Sequence, residues 1–390
     1  MKTSTLWLAP LATSLLLALA CGDDLSGNVV DNEGNNPANN DPANNGESCT
    51  EVTLPDEPRA VGLVYTDSDQ SDVSTYVGGF EGGRDAPIGG LEVSLFGPGL
   101  EETVSTCMDG RAAFGPLEDG AYLLVPDFPE GDCMTKNCVR RLPEAIRAGG
   151  VKIVTFGDSV PVIGDAPMFP SRLATLLGDI TDVNNTNIAI GGTTSHNWLP
   201  GTPNFENTLI PQISDADVIM VSLGGNDLLA FIQANAANLG NIAALVEDVK
   251  AEVNAILSRL ITIVDAIREQ NNTADIVYLL YPDYSRADMD MMWALVNQFV
   301  GAETVREVLE TARDSLDASE VVILVDVFGS TQGTDVNTIL ADSLHFNDIG
   351  QTLYAEEIFK TLGGVLVGPS PLGGQPRTPL GTDQQFSLAP

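Results

Sequence analysis

The chain contains two histidines, His196 and His345, and only His345 has an acid close to it in sequence: Asp342, in "ADSLHFND". A carboxylate three residues away can reach one ring nitrogen, fix the tautomer and stabilise an imidazolium. The other nitrogen is then left to take a proton. The matching group is a hydroxyl, a poor nucleophile until a neighbouring base removes its proton. Residues 151–160, "VKIVTFGDSV", offer one at the end of a run of β-formers: Ser159, in Gly157-Asp158-Ser159. His196 lies in "TTSHNW", with no acid closer than Asp182 and Glu206. It reads as a loop residue or, at most, a substrate contact beside Trp198. Together Ser159, His345 and Asp342 could attack a carbonyl, with His345 as general base.

Residues that far apart must be gathered by a regular scaffold. Between 150 and 368, apolar runs alternate with helical patterns: "VKIVTF", "NIAI", "DVIMVSL", "ADIVYLLYP" and "VVILVDV", with helices expected at "FPSRLATLLG", about 228–270, about 288–316 and "NDIGQTLYAEEIFKTL". Five short runs separated by helices predict an α/β fold, a five-stranded parallel sheet with helices on both faces. Sites in such sheets lie beyond the carboxyl ends of the strands. Three of those ends carry Gly157-Asp158-Ser159, Asn187 followed by "IGGTTS", and Gly224-Gly225-Asn226-Asp227. Asp158 and Asp227 are expected to shape their turns by bonding local backbone N–H groups, and Gly224 to serve turn geometry. Phe169 and Trp198 could line an acyl site or simply pack.

These blocks, in this order, resemble the GDSL/SGNH hydrolase family. Its four hallmarks map onto Ser159 in G-D-S, Gly192 in the segment Asn187–Gly192, Asn226 in Gly224-Gly225-Asn226-Asp227, and His345 with Asp342 in D-x-x-H. Val160 replaces the Leu of the family name, and Gly191 beside Gly192 leaves the second block open to a one-residue shift. The resemblance implies a flavodoxin-like SGNH hydrolase fold, a Ser159–His345–Asp342 catalytic set and an acyl-enzyme. It also implies an oxyanion hole made by the backbone N–H groups of Ser159 and Gly192 and the side-chain amide of Asn226. It implies a small-molecule, lipid or polysaccharide ester as substrate and no cofactor. The alternative is a catalytically silent surface adhesion or binding lipoprotein with a hydrolase-like domain; the presence of all four hallmarks disfavours it.

The rest of the chain points outside the cell. Residues 1–20 read as an export signal, with Lys2 before an apolar stretch, and "LLLALAC" resembles a bacterial lipoprotein signal with Cys21 as the lipidated residue. Membrane attachment would then be through that N-terminal lipid, in the periplasm or at the cell surface. Residues 21–48 follow as an Asn-rich, disordered linker. Residues 49–148 carry short β-like runs between Gly, Pro and Asp clusters and predict a small all-β sandwich. The stretch from "PIGGLEVSLFG" to "DGAYLLVPDF" resembles prealbumin-like modules of surface proteins. Cys49, Cys107, Cys133 and Cys138 remain once Cys21 is set aside, and an exported chain favours pairing them in two disulfides over a zinc site. The hydrolase-like domain is expected over 149–368 and a disordered tail over 369–390. With 18 basic against 54 acidic residues, a net charge of −36, the chain is unsuited to nucleic acid, whose binding needs Lys and Arg. No metal motif is present.

Overall fold

The computed structural model describes residues 60–66, 86–127, 139–235, 242–287, 301–319, 322–372 and 383–388. The expected signal, Cys21, the linker, Cys49, Cys133 and Cys138 lie outside these residues. The chain opens with strands β1 (Ala60–Thr66), β2 (Ala86–Pro87), β3 (Glu92–Gly97), β4 (Leu100–Ser105), β5 (Arg111–Phe114) and β6 (Gly120–Pro126). A short helix, Arg141–Arg147, leads into β7 (Gly150–Gly157), β8 (Asp182–Asn187), β9 (Val218–Ser222), β10 (Asp275–Leu279) and β11 (Ile323–Val325). Two strands follow, β12 (Gly364–Val367) and β13 (Asp383–Leu388).

Strands β7 to β11 form the expected five-stranded sheet, in spatial order β11-β10-β9-β7-β8, and every pairing is parallel. This is the flavodoxin-like order 2-1-3-4-5, which places a switch point between the first and third strands, here β7 and β9. Alternate residues of each strand serve opposite faces, as the two-residue period requires. Ile153, Val218, Met220 and Val277 join a core with the helices Phe169–Gly178 and Asp348–Thr361. Val154, Ile219, Val221 and Ile276 join another with Leu260, Ile263 and Ile267 of the helix Ile242–Gln270. A sheet covered on both sides needs strands apolar on both sides. β9 and β10 are buried at every residue.

The second strand of this sheet is not where its apolar run lies. "NIAI", residues 187–190, was the expected strand, whereas β8 is the polar "DVNNTN" at 182–187. β8 is an edge strand, so its backbone pairs on one side only and half its side chains meet solvent. Polar residues are tolerated there, and Ile188 and Ile190 fall in the loop beyond.

The first strands form two sheets around a common core. One has β1 between β13 and β2, with β5 also on β1; the other runs β12-β6-β3-β4. Ala60, Ala112 and Phe114 of the first meet Val93, Leu95, Tyr122, Leu124, Val365 and Val367 of the second. The intervening residues Phe96, Ala121, Leu123, Val125 and Leu366 point the other way, into the core shared with the helix Arg141–Arg147 and the parallel sheet. Strands β3, β6 and β12 of the second sheet are therefore buried on both faces, which explains their continuous apolar runs, while β4 at its edge is largely exposed. Its strand β12 comes from the end of the segment assigned to the hydrolase domain and pairs antiparallel with β6. The stretch 369–390, expected to be structureless, contains β13, which pairs in parallel with β1. Edge pairing is made through backbone groups, so it leaves no apolar period to read. Of the four cysteines expected to pair, Cys107 is among the described residues and is buried.

Candidate active site

Ser159 stands two residues beyond the last strand residue of β7. Its Oγ lies 2.9 Å from His345 Nε2. The His345 Nδ1 lies 2.8 Å from Asp342 Oδ2 and 3.0 Å from Oδ1. His345 and Ser159 are 186 residues apart, and the contact is built by the segments around them. The loop after Ser159 pairs with the segment after His345 through a bridge between Gly164 and Phe346. Asp165 N donates to Phe346 O at 2.9 Å, and Asp348 N donates to Asp165 Oδ2 at 3.1 Å. Gly164 has φ +128°, and a Cβ there would sit 2.3 Å from Phe346 O, so only glycine fits.

The helix that follows His345 is anchored in the same way. Asn347 caps it, its side-chain oxygen accepting from Ile349 N and Gly350 N. Buried Arg172 donates to Asp348 Oδ1 at 2.6 Å, to Thr352 Oγ1 at 2.6 Å and to Pro167 O at 2.7 Å. Phe169 N donates to Gln351 Oε1 at 2.8 Å. These bonds join the helices Phe169–Gly178 and Asp348–Thr361, which follow the serine and the histidine.

Asp342 Oδ1 also accepts from His345 N at 2.7 Å and Leu344 N at 2.8 Å. Partial burial works to raise the pKa of this carboxyl, but the hydrogen bonds from the His345 and Leu344 backbones and the His345 ring outweigh it and hold it below the ordinary 3.8. Asp342 is thus a carboxylate at neutral pH, able to orient the ring and to stabilise its charged form.

Gly192 adopts the left-handed region, φ +79°, on the loop after β8. Asn226 lies in the first turn of the helix Gly225–Ala234 after β9 and donates its amide to Thr193 O at 2.9 Å, bringing the second and third blocks together. Gly224 is the residue before that helix, at φ +110°, consistent with turn geometry.

Asp158 is 2% exposed and does more than shape its own turn. Oδ1 accepts from Val160 N at 3.0 Å and Ser222 Oγ at 3.1 Å, and Oδ2 accepts from the Tyr281 hydroxyl. Burial pushes its carboxyl up to about 6 despite those bonds. Burial and the neighbouring Asp158 push the Tyr281 hydroxyl well above its ordinary range, so it remains a donor. The same oxygen accepts from Gly225 N at 3.1 Å. Tyr281 thereby links the turn of Ser159 to the turn of Asn226.

Asp227 departs from the expected local role. Its carboxylate accepts from Ser195 N at 2.8 Å and Ser195 Oγ at 2.7 Å, 32 residues away. His196 is mostly exposed, its Nδ1 3.6 Å from Asp227 Oδ1; the histidine bonded to Ser159 is His345. Trp198 and Phe169 are fully buried and pack, Trp198 against Phe156 at 5.1 Å between ring centres. Tyr281, Arg259 and Ser195 were missed in the sequence; a polar-tipped Tyr281 just past β10 was the one hint among them. Among the described residues, no three His, Cys, Asp or Glu side chains gather to hold a metal ion.

A parallel sheet of this order, with a serine, histidine and carboxylate meeting beyond its carboxyl ends, has the layout of a hydrolase. Residues 155–353 match the sequence profile of the GDSL-like Lipase/Acylhydrolase family, and the chain belongs to that family. It is an ester-hydrolysing enzyme. Similar solved structures include a lipase from a goat rumen metagenome, 16% identical with a TM-score of 0.44, covering 57% of this chain and 100% of that one. A phospholipase A1 from Streptomyces albidoflavus is 18% identical with a TM-score of 0.40, covering 54% and 99%. A catalytic mutant of an acetylxylan esterase from Geobacillus stearothermophilus is 14% identical with a TM-score of 0.36, covering 55% and 94%. No curated protein matches the chain.

Proposed function

We propose that this enzyme is a serine esterase acting through an acyl-enzyme, with Ser159, His345 and Asp342 as its catalytic residues. The observation that carries this reading is the hydrogen-bonded line from Ser159 Oγ to His345 Nε2, at 2.9 Å, and from His345 Nδ1 to Asp342 Oδ2, at 2.8 Å. Ser159 Oγ attacks the ester carbonyl carbon as its proton passes to His345 Nε2. Asp342 stabilises the imidazolium. The oxyanion is received by the N–H groups of Ser159 and Gly192 and by the Asn226 amide. A side-chain amide carries two hydrogens, so Asn226 can hold Thr193 O with one and offer the other. His345 then protonates the leaving alcohol, and the acyl group remains on Ser159. Water, deprotonated by His345, attacks this second ester and releases the acid.

The surroundings favour an uncharged acyl group. Ile163 and Ile190 are exposed on the loops that flank Ser159, and an added Cβ on Gly191 would lie 3.4 Å from Ile163 Cδ1 and 3.7 Å from Ser159 Cβ. The nearby cations Arg172 and Arg259 are bound to carboxylates. The resemblance of residues 1–20 to an export signal, with Cys21 directly after it and the Asn-rich tract beyond, supports a lipid-tethered enzyme outside the cytoplasm. The prealbumin-like resemblance is consistent with the N-terminal strands serving as a spacer or binding module.

Turnover of p-nitrophenyl esters of increasing chain length tests the catalytic reading. Acetate to butyrate should be hydrolysed, and Ser159→Ala should abolish the activity. Equal rates for wild type and Ser159→Ala would refute it. Cys21→Ser should move the expressed protein from the membrane to the soluble fraction; an unchanged membrane fraction removes the lipid anchor from the account.

A further inference from the structure

The two groups assigned to the oxyanion on the second and third blocks sit on separate segments, the loop of Gly192 and the helix start of Asn226. Their separation depends on whatever ties those segments together. One tie is the bond from Asn226 to Thr193 O, at 2.9 Å. The other lies one residue beyond Asn226 and two beyond Thr193: Asp227 holds both the N–H and the hydroxyl of Ser195. Ser195 is fully buried and Asp227 is 5% exposed. A carboxylate so placed needs a counter-charge, since burying an unpaired charge is strongly unfavourable.

That charge comes from outside every catalytic block. Arg259 lies in the middle of the helix Ile242–Gln270. Its Nε donates to Ser195 Oγ at 2.6 Å, and its Nη2 reaches Asp227 Oδ1 at 3.2 Å. Nη2 is itself held by Glu252 Oε1 at 2.6 Å. Two nitrogens of one planar group therefore grip one residue from each oxyanion segment, a geometry that the rigid guanidinium fork provides and an ammonium does not.

We propose that Arg259 is a positioning residue for the oxyanion pocket, fixing the Gly192 loop against the Asn226 turn through Ser195 and Asp227. The proposal rests on the reading of Gly192 and Asn226 as oxyanion donors. Arg259 acts on catalysis through these residues and touches no substrate. Misplacing a reacting group by about 1 Å costs about 10²-fold in rate, and removing a donor outright costs about 10²–10³-fold. Loss of the guanidinium should fall at or below the first figure.

The test uses full-length protein and p-nitrophenyl acetate. Arg259→Met should lower kcat by about 10–10²-fold with KM changed by less than about threefold. Arg259→Lys, which keeps the charge and loses the fork, should fall between Met and wild type, and it carries the test if the Met variant does not fold. Asn226→Ala is then combined with each. If Arg259 acts by placing the Asn226 amide relative to the loop, its effect should shrink by at least about threefold once that amide is gone. Equal fold-losses in both backgrounds, or a lower melting temperature with kcat intact, would overturn the proposal. If Asn226→Ala alone leaves kcat unchanged, the oxyanion assignment itself fails, a result distinct from failure of the Arg259 variants alone.

Discussion

Asp342 has two duties that substitution separates. Its carboxylate orients the His345 ring, and its Oδ1 also accepts two backbone N–H groups. Asp342→Asn can keep the backbone bonds while presenting the ring with the wrong partner, so kcat on p-nitrophenyl acetate should fall about 10³–10⁴-fold with the melting temperature little changed. His196→Ala, removing an exposed ring, should stay within about threefold of wild type. Gly192 makes a different test. An added Cβ there meets nothing within 4 Å, yet φ is +79°. Gly192→Ala should therefore cost about 1–2 kcal/mol in backbone strain and lower kcat more than KM, because the N–H it carries is displaced. Ser159, His345 and Asp342 were legible because histidine is scarce here and each residue sits at a strand end or within three residues of its partner. Tyr281 and Arg259 were not, because their meaning lies in partners 123 and 64 residues away, Asp158 and Ser195.

Among the elements, the contact between the serine loop and the histidine segment decides whether the site assembles. Gly164→Ala would drive a methyl group into Phe346 O, 2.3 Å from the ideal Cβ position. We expect kcat to drop by about 10²-fold or more as His345 moves off Ser159. The hydrogen exchange of residues 345–348 should rise while that of β9 and β10 stays slow. Unchanged exchange at 345–348 would mean that the bridge does not hold the histidine. Buried strands β7, β9, β10 and β11 could be read from their apolar runs because both faces are covered. The edge strand β8 could not, since its "DVNNTN" carries the residues of a loop and is recruited by β7 through backbone pairing. β13 escaped notice for the same reason, being paired to β1 without an apolar period.

For the molecule as a whole, the N-terminal strands and the hydrolase sheet share a buried layer. Phe96, Leu123 and Leu366 on one face of the β12-β6-β3-β4 sheet belong to the same core as Ile153 and Met220. Composition could mark where the β-rich region begins, but not that a strand from residues 364–367 returns to complete it. The pH dependence of stability also belongs to this scale. Asp158 titrates at about 6 in the folded chain against an ordinary 3.8, chiefly from burial. The folded state thus holds this proton more tightly than the unfolded chain. Its contribution is complete below about pH 4 and is lost as pH rises through 6, a change of about 3 kcal/mol for a shift of this size. The depressed Asp342 works in the opposite sense, contributing above its unfolded pKa and losing that contribution as pH falls. Asp158→Asn should therefore gain on wild type in melting temperature between pH 4.5 and 7.5; parallel curves for the two proteins would contradict the assignment. Whether Ser159 carries the acyl group can be read by treating the full-length protein with a fluorophosphonate and locating the adduct by peptide mass spectrometry. A single adduct on Ser159 that His345→Ala suppresses is expected; an active enzyme with its adduct on any other residue would contradict the assignment.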